Sequence, residues 1–319
     1  MTIGILTSGG DSPGMNAVIA GACERLEQLE EHRLADLERG PLGAQIGARA
    51  LGVFGGFAGL AARRTEPITA LQARTHMHEP GTWLGTSRWP KLREPGGLAE
   101  CGAAVEALSL RGLVVIGGHG STRGARALAH TVPVAVVPAT IDRDLEGTDL
   151  TIGMDSAIGY AMDAIDRLRI TGRSLPGRAF LVQTLGAPNG YLAEAVAVAA
   201  GIDDVLVPER PYDLDVLAAR LRELSVSGSA IAVMSEAVGD AVRIAEALAE
   251  RSGVRVHPTI LGHTQRAATP SALDRALGQA AGRVAVDRLI EGESAFVGLT
   301  SDGTVAPVPL LPAATATHR

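Results

Sequence analysis

The sequence of 319 residues is long enough for one large domain or two medium ones, each with its own hydrophobic core. A hydrophobic fraction of 46% and a charged fraction of 20% are ordinary for a globular protein. The net charge of −6 and the 3% of aromatic residues argue against a nucleic-acid or acidic-membrane partner. No apolar run approaches about 18 residues, and two cysteines are too few for a disulfide framework. We therefore expect a cytoplasmic enzyme with no nucleic-acid or membrane partner.

Lysine is almost absent from the sequence. Lys91 is the only lysine among the 29 lysine and arginine residues. A P-loop kinase needs a lysine within a G-x-x-x-x-G-K-[ST] motif, and Lys91 lies in no such motif. Any recognition of phosphate must therefore use arginine, backbone N–H groups or a metal ion.

Apolar runs alternate with helical segments along the chain. In the first half, strands are predicted at residues 3–6, 51–54, 113–116 and 134–137, and a helix at residues 17–29. A second α/β segment begins near residue 155, with helices predicted at 156–169 and 192–200 and strands at 180–182 and 230–234. Strands that are apolar on both faces and alternate with helices are typical of parallel, doubly wound α/β sheets. Ligands bind to such sheets beyond the carboxyl ends of the strands.

Two glycine-rich loops follow predicted strands. The first, Ser8-Gly9-Gly10-Asp11, opens a helix, and the second runs from Gly117 to Ser121, with Gly124 three residues further on. Backbone N–H groups at such turns can face a phosphate, and glycine lets the backbone approach it closely. Either loop alone is equally typical of a tight turn without a ligand. Together, at one edge of a sheet, they suit a polyphosphate.

The stretch Thr140-Ile141-Asp142-Arg143-Asp144 is the most informative part of the sequence. Strand-like alternation would place the side chains of Asp142 and Asp144 on one face of the strand and that of Ile141 on the other. Two carboxylates at a strand end can divide the work of phosphoryl transfer, one accepting a hydroxyl proton and the other holding a metal ion or an arginine. An isolated D-x-D is more often a solvated turn, so this interpretation depends on the neighbouring glycine loops.

Five motifs lie at residues 8–16 (SGGDSPGMN), 117–121 (GGHGS), 140–144 (TIDRD), 147–153 (GTDLTIG) and 261–266 (LGHTQR). They occur in the order found in ATP-dependent 6-phosphofructokinases, and the chain resembles that family over nearly its whole length. The resemblance implies two doubly wound α/β domains with mainly parallel sheets. Residues 1–154 plus 265–319 would bind the nucleotide, and residues 155–264 would bind the sugar phosphate.

The resemblance also implies an activity and an assembly. The expected reaction is ATP-dependent phosphoryl transfer to a hydroxyl of fructose 6-phosphate or a related sugar phosphate, a step of glycolysis that uses Mg²⁺. The expected assembly is a homo-oligomer, commonly a tetramer. Pyrophosphate-dependent relatives carry aspartate and lysine where this chain has the small residues Gly120 and Ala139, so ATP is favoured as the donor.

The resemblance assigns a role to individual positions. Asp142 would be the general base, with Thr140 beside it, Asp144 in support and Arg88 steadying the phosphoryl group. The ATP site would be lined by Gly10, Arg88, Gly117, Gly118, Gly120, Ser121 and Gly124. The sugar phosphate would be bound by Thr140, Asp142, Arg178, Leu185, Gly186, Glu236, His257, His263 and Arg266, of which Arg178 would come from a neighbouring subunit.

Three of the departures from the family pattern bear on charge and metal binding. His119 stands at the position of the family's Mg²⁺-binding aspartate, which leaves Asp142 and Asp144 as candidate ligands. Mg²⁺ prefers oxygen ligands, so imidazole is a poor replacement. Ala187 and His257 each replace an arginine. Three interpretations therefore stay open: a fructose 6-phosphate kinase, a kinase with a different sugar-phosphate acceptor, and a catalytically impaired protein that binds nucleotide and sugar phosphate.

Overall fold

A computed structural model describes residues 1–37, 48–228 and 230–310 of the chain. The chain divides into two compact units. The first comprises residues 1–140, 144–153 and 269–319, and the second comprises residues 141–143 and 154–268. The limits predicted from the sequence stay a prediction, although residues 265–268 group here with the second unit. No helix in the described part of the chain is long and apolar enough to cross a membrane.

The first unit is built around a mainly parallel sheet. Its strands are β1 (Thr2–Ser8), β2 (Arg49–Val53), β3 (Thr65–Ile68), β4 (Leu110–Gly117), β5 (Val134–Pro138), β10 (Ala295–Leu299) and β11 (Val305–Pro309). Its helices are α1 (Met15–Leu37), α2 (Gly56–Ala61), α3 (Ala70–His76), α4 (Pro95–Ala107), α5 (His119–Leu128) and α10 (Ala272–Ile290), with a 3₁₀ turn at Pro90–Arg93. Among the described residues the strand order is β11-β10-β5-β4-β1-β2-β3, and only the edge strands β3 and β11 run antiparallel.

Both faces of this sheet are buried, because successive side chains of each central strand enter opposite cores. Ile3 and Ile5 of β1 pack with α1 and α10, whereas Leu6 packs on the other face with α2, α4 and α5. Helices α1 and α10 approach each other through glycine. A Cβ at Gly21 would lie 2.1 Å from the Gln279 carbonyl oxygen, and one at Gly282 would lie 2.2 Å from that of Val18. The carboxyl-terminal part of the chain thus completes the core of the first unit.

The second unit contains a smaller sheet of the same kind. Its elements are α6 (Met154–Ser174), β6 (Arg178–Thr184), α7 (Tyr191–Ala200), β7 (Val205–Leu206), α8 (Leu214–Ser225), β8 (Ile231–Ser235), α9 (Ala241–Ser252) and β9 (Arg255–Ile260), with 3₁₀ turns at Glu236–Val238 and Gly262–Ala267. The described strands pair in the order β7-β8-β6-β9, all parallel. Helices α6 and α7 cover one face, and α8 and α9 cover the other. The predicted α/β class with doubly wound, mainly parallel sheets is confirmed.

Candidate active site

The two glycine loops of the first unit lie side by side, because β1 and β4 are neighbours with Ser8 paired to Gly117. Ser121 Oγ donates a hydrogen bond of 2.8 Å to the Ser8 carbonyl oxygen. A Cβ at Gly117 would lie 2.4 Å from that same oxygen, so only glycine fits there. Gly9, with φ 91°, adopts a left-handed conformation that favours glycine. Ser121, predicted to bind ATP, thus also ties the two loops together.

The loop that carries Arg88 is fastened to the first glycine loop by hydroxyl groups. Thr7 Oγ1 donates to the Gly85 carbonyl oxygen at 2.8 Å. Thr86 Oγ1 donates to the Gly9 carbonyl oxygen at 3.0 Å. Arg88 lies two residues after Thr86 and is exposed. The structure therefore brings Arg88 and the Gly9–Gly10 turn to one edge of the sheet, as the sequence predicts.

Further anchoring of this loop was not predicted from the sequence. Ser87 Oγ donates to the Gly55 carbonyl oxygen at 2.7 Å. Asn16 Oδ1 accepts from the Trp83 backbone N–H at 2.7 Å. These contacts join residues 32 and 67 positions apart in the chain, so no local sequence pattern reveals them.

Helix α5 begins at the second glycine loop with two exposed residues, His119 and Gly120. Apart from its chain neighbours and the backbone of its own helix, no atom of the described protein lies within 4 Å of a Cβ built on Gly120, so this residue faces open space. The free backbone N–H groups of a helix's first turn suit an anion. Gly124 differs, because it is buried and a Cβ there would lie 2.4 Å from Leu92 Cδ2. Packing against Leu92 accounts for this glycine.

The backbone of the Thr140–Asp144 stretch is not extended, so the predicted alternation of Asp142 and Asp144 is wrong. Arg143 has φ 47°, a left-handed conformation that breaks the two-residue periodicity of a strand. Thr140 is buried, and its carbonyl oxygen accepts from Thr151 Oγ1 at 2.6 Å in the first unit. Asp144 also belongs to the first unit and is exposed, whereas Asp142 belongs to the second.

Within the second unit, Asp142 is held by groups far away in the chain. Arg266 Nη2 lies 3.8 Å from Asp142 Oδ2. Asn189 Nδ2 donates to the Asp142 carbonyl oxygen at 2.9 Å, and the Asn189 carbonyl oxygen accepts from Ser235 Oγ at 2.9 Å. The contribution of Asn189 was not predicted, because asparagine in a Pro-Asn-Gly sequence is ordinary turn composition.

The loop after β6 is fixed by two side chains. Glu236 Oε1 accepts from the backbone N–H groups of Gly186 and Ala187 at 3.0 and 3.2 Å. The fully buried Gln265 accepts from the Leu185 N–H at 3.0 Å and donates to the Ala157 carbonyl oxygen at 3.2 Å. Glu236, predicted to contact the sugar, therefore also shapes the loop. Its second carboxylate oxygen makes neither of these two bonds.

Arg178 and His257, two predicted substrate residues, lie away from the loop after β6 and the side chains that fix it. Arg178 begins β6 and pairs with Arg255, whereas Leu185 follows the last residue of the same strand. Seven strand residues span about 20 Å, so Arg178 cannot join the Leu185 loop of its own chain. His257 pairs with Phe180 in the sheet and stacks on its ring, with 5.8 Å between centroids. His263 lies exposed in the 3₁₀ turn that also carries Arg266.

Electrostatics distinguish His257 from the arginine that the family resemblance predicts at this position. Burial, together with Arg255 and Arg178, lowers the pKa of His257 below its ordinary value of 6.5. Its buried Nε2 has no hydrogen-bond partner among the described residues. The imidazole is therefore neutral at pH 7 and offers no charge to a phosphate.

The donor groups of the described residues do not fit a magnesium site built by the protein. No group of three or more His, Cys, Asp or Glu side chains in the described segments could hold a metal ion. His119, at the position where the resemblance predicts a Mg²⁺ ligand, offers a nitrogen, whereas Mg²⁺ prefers oxygen. Asp142 and Asp144, the remaining candidates, belong to different units, so their role as ligands stays a prediction.

Comparisons with known proteins agree with this architecture. The Phosphofructokinase family model matches residues 2–289. The ATP-dependent 6-phosphofructokinase of Bacillus subtilis is 36% identical over 294 residues, which cover 91% of this chain and 86% of that protein. That of Natranaerobius thermophilus is 37% identical over 295 residues, or 92% and 87% of the two chains. A doubly wound fold with these loops and this family match defines a sugar-phosphate kinase.

The solved structures show the same relationship. Pichia pastoris phosphofructokinase in the T-state superposes with a TM-score of 0.83 at 26% identity, covering 97% of this chain. The chain spans only 35% of the length of that yeast protein. Because the family model covers most of the sequence and the bacterial relatives exceed 30% identity, the chain belongs to the phosphofructokinase family.

Proposed function

We propose that this kinase transfers the γ-phosphoryl group of ATP to a hydroxyl of fructose 6-phosphate, a glycolytic reaction. The similar bacterial proteins are named ATP-dependent 6-phosphofructokinases. The observation that carries the proposal is the setting of Asp142. Its backbone carbonyl is held by Asn189 and its carboxylate lies 3.8 Å from Arg266, in the unit that also carries the Leu185–Ala187 loop and Glu236.

The first unit supplies the nucleotide site of the proposal. The backbone of the Gly9–Gly10 turn and of the first turn of α5 binds the phosphates, and Arg88 carries the positive charge. Gly117 and Gly118 let the backbone approach, and Ser121 keeps the loops together.

The second unit supplies the acceptor site. Asp142 accepts the proton of the acceptor hydroxyl as that oxygen attacks the γ-phosphorus. The new O–P bond forms as the bond to the bridging oxygen breaks, and ADP leaves with that electron pair. Glu236 accepts hydrogen bonds from the sugar hydroxyls, and His263 and Arg266 bind the substrate phosphate. Mg²⁺ use is expected from the family, but since the described residues do not fit a protein-built site, these roles involve side chains and backbone only.

A second acceptor is a specific alternative. The loop from Leu185 to Gly190 contains no cationic side chain, and His257 is neutral at pH 7. A site with less positive charge suits a differently charged or larger sugar phosphate. Comparing kcat/KM for fructose 6-phosphate and other sugar phosphates separates the two kinases. A chain that binds both nucleotide and sugar phosphate without transfer would be the impaired protein.

The proposal includes a cytoplasmic location and assembly into a homo-oligomer, which in the family is commonly a tetramer. Sedimentation would measure the assembly.

The nucleotide site is tested by a pair of alanine substitutions. Gly120 and Gly96 are each the second residue of a helix, both exposed, and neither has an atom within 4 Å of a built Cβ. We expect Gly120→Ala to raise KM for ATP about tenfold, because the new methyl group enters space that the nucleotide occupies. Gly96→Ala should leave KM for ATP, KM for fructose 6-phosphate and Tm unchanged.

The outcomes separate two errors. A wild-type chain that forms no sugar bisphosphate from fructose 6-phosphate, as followed by ³¹P NMR with ATP and Mg²⁺, contradicts the proposed reaction. An active wild type whose KM for ATP is the same in Gly120→Ala contradicts only the placement of the nucleotide.

A further inference from the structure

Arg143 has an unusual backbone conformation. Its φ is 47°, and only two other non-glycine residues in the described chain, Arg63 and Ser109, have a positive φ. Side-chain-bearing residues rarely adopt this conformation, and where they do it often accompanies function. Arg143 directly follows Asp142, the proposed general base. The left-handed conformation therefore lies next to the residue that is proposed to accept the proton.

The guanidinium of Arg143 is held in place by an aromatic ring. Its Cζ lies 4.1 Å from the centroid of Tyr191, the first residue of α7. A guanidinium stacked by its face keeps its N–H groups at the edge, where they can bind an oxyanion. Arg143 makes no hydrogen bond or ion pair with any described residue. The ring positions the cation and leaves its donors available.

Asn189, in the loop before α7, connects Tyr191 to Asp142. Asn189 accepts from the Tyr191 N–H at 3.0 Å and donates to the Asp142 carbonyl oxygen at 2.9 Å. Asp142 and Arg143 therefore rest on neighbouring residues of one segment. Residues 185–190 have no cationic side chain of their own, so the positive charge beside them comes from Arg143. Arg266 is a second cation, and it faces the Asp142 carboxylate.

We propose that Arg143 is a catalytic residue whose guanidinium contacts the phosphoryl group during its transfer, and that Tyr191 is its positioning residue. The inference rests on the proposed function, because the acceptor oxygen that loses its proton to Asp142 is the oxygen that bonds to phosphorus. In this step the O–H proton goes to Asp142, the O–P bond forms, and ADP leaves with the electrons of the broken bond. A cation beside Asp142 stabilises the negative charge on the phosphoryl oxygens.

Arg143→Met tests the inference, because methionine keeps the stem and the backbone constraint but removes the donors. We expect kcat to fall about 100-fold, with KM for fructose 6-phosphate changed less than about threefold. Guanidinium ion at millimolar concentration should restore part of the lost kcat, and urea should not. Arg143→Lys should recover less than half of it, because an ammonium ion lacks the planar fork.

The controls separate catalysis from structure. Arg173→Met changes an exposed arginine at the end of α6 and should leave kcat and its response to guanidinium as in the wild type. Tyr191→Phe keeps the stacking face and should retain activity, whereas Tyr191→Leu should lower kcat about tenfold by releasing the guanidinium.

Three results would overturn the inference. A kcat of Arg143→Met within twofold of the wild type removes any catalytic contact. A loss that guanidinium does not restore, accompanied by a lower Tm, assigns Arg143 a structural role. A wild-type chain without phosphoryl transfer overturns the proposed function and this inference together, whereas an active wild type with an unaffected Arg143→Met overturns this inference alone.

Discussion

The glycine loops of the first unit and the Asp142 region of the second are built by different means. The loops depend on backbone geometry and hydroxyl groups, such as Ser121 Oγ bound to the Ser8 carbonyl oxygen. The Asp142 region depends on charged and amide side chains, among them Arg266, Glu236 and Asn189. A loop defined by backbone tolerates little change, because at Gly117 even a methyl group would collide with the Ser8 carbonyl oxygen.

This difference bears on where the chain departs from its family. In the second unit, Ala187 and His257 stand where the family resemblance predicts arginine, while the Arg143 guanidinium lies over the Tyr191 ring. Charge carried by side chains can be supplied from another position, provided that the loop geometry survives. The first unit changes instead at the exposed His119, which contributes no contact to the loop framework among the described bonds. Each of the following changes tests one side of this comparison.

The largest effect is expected from Asp142→Asn. The amide cannot accept the hydroxyl proton, so kcat should fall about 10³-fold or more, within the range of general-base catalysis. Steady-state kinetics with saturating ATP and fructose 6-phosphate measure it. Asp166→Asn, at an exposed residue of α6 paired with Arg169, is the matched control and should keep full activity. A loss of less than tenfold in Asp142→Asn would mean that another group accepts the proton.

His119→Asp tests the altered position of the first unit. An oxygen ligand at the start of α5 suits Mg²⁺, so Mg²⁺-dependent turnover should rise at least about tenfold. Titration of activity with Mg²⁺ measures the change, and His119→Asn, which adds an oxygen without the charge, is the comparison. Unchanged turnover would show that metal binding does not depend on this position and that the unit has lost nothing by carrying histidine.

The smallest effect is expected at His257 and depends on pH. The pKa of this imidazole lies below 6.5. The ring therefore becomes positively charged, and able to attract a phosphate by charge, only as the pH falls through that pKa. The ratio of KM for fructose 6-phosphate in the wild type to KM in His257→Arg should exceed 1 at about pH 7.5 and fall towards 1 as the pH is lowered through the pKa of His257 in the folded chain. Taking the ratio cancels the titration of the substrate phosphate. A ratio independent of pH would place His257 outside the phosphate site.

The same lowered pKa predicts how stability depends on pH. The unfolded chain binds a proton to His257 near pH 6.5, whereas the folded chain does so only at lower pH. This contribution to stability is therefore complete above pH 6.5 and is lost as the pH falls towards the folded-state pKa. Thermal unfolding of the wild type and His257→Gln, compared at both ends of that range, isolates it.

Much of the fold was predictable because the central strands are buried on both faces. Residues 3–6, 113–116 and 134–137 are continuous apolar runs, and all three lie in the parallel strands β1, β4 and β5. The glycine loops were predictable for the same reason, since they follow directly from those strand ends. The family resemblance, confirmed by the family match, supplied the class of reaction.

What the sequence did not predict depends on contacts between distant residues. The alternation expected for Asp142 and Asp144 assumed an extended backbone, and nothing local indicates the left-handed φ of Arg143. Asn189 and Gln265 acquire their roles only when the β6 loop meets residues 47 and 80 positions away. Amide side chains of this kind have no sequence signature. Gly124 stays a predicted ATP-site residue, and the structure adds a packing reason for glycine there, since a Cβ would lie 2.4 Å from Leu92 Cδ2.

The return of residues 269–310 to the first unit has a consequence for biosynthesis. Strand β10 pairs with β5, and α10 lies against α1 at glycine contacts. Residues 1–140 therefore lack one neighbouring strand and one covering helix until residues 269–310 have left the ribosome. The second unit is nearly continuous in the chain, with residues 141–143 and 154–268, and can form its sheet earlier. The unit translated first is thus the one finished last, and a nascent chain stalled before residue 269 presents an open apolar surface to chaperones.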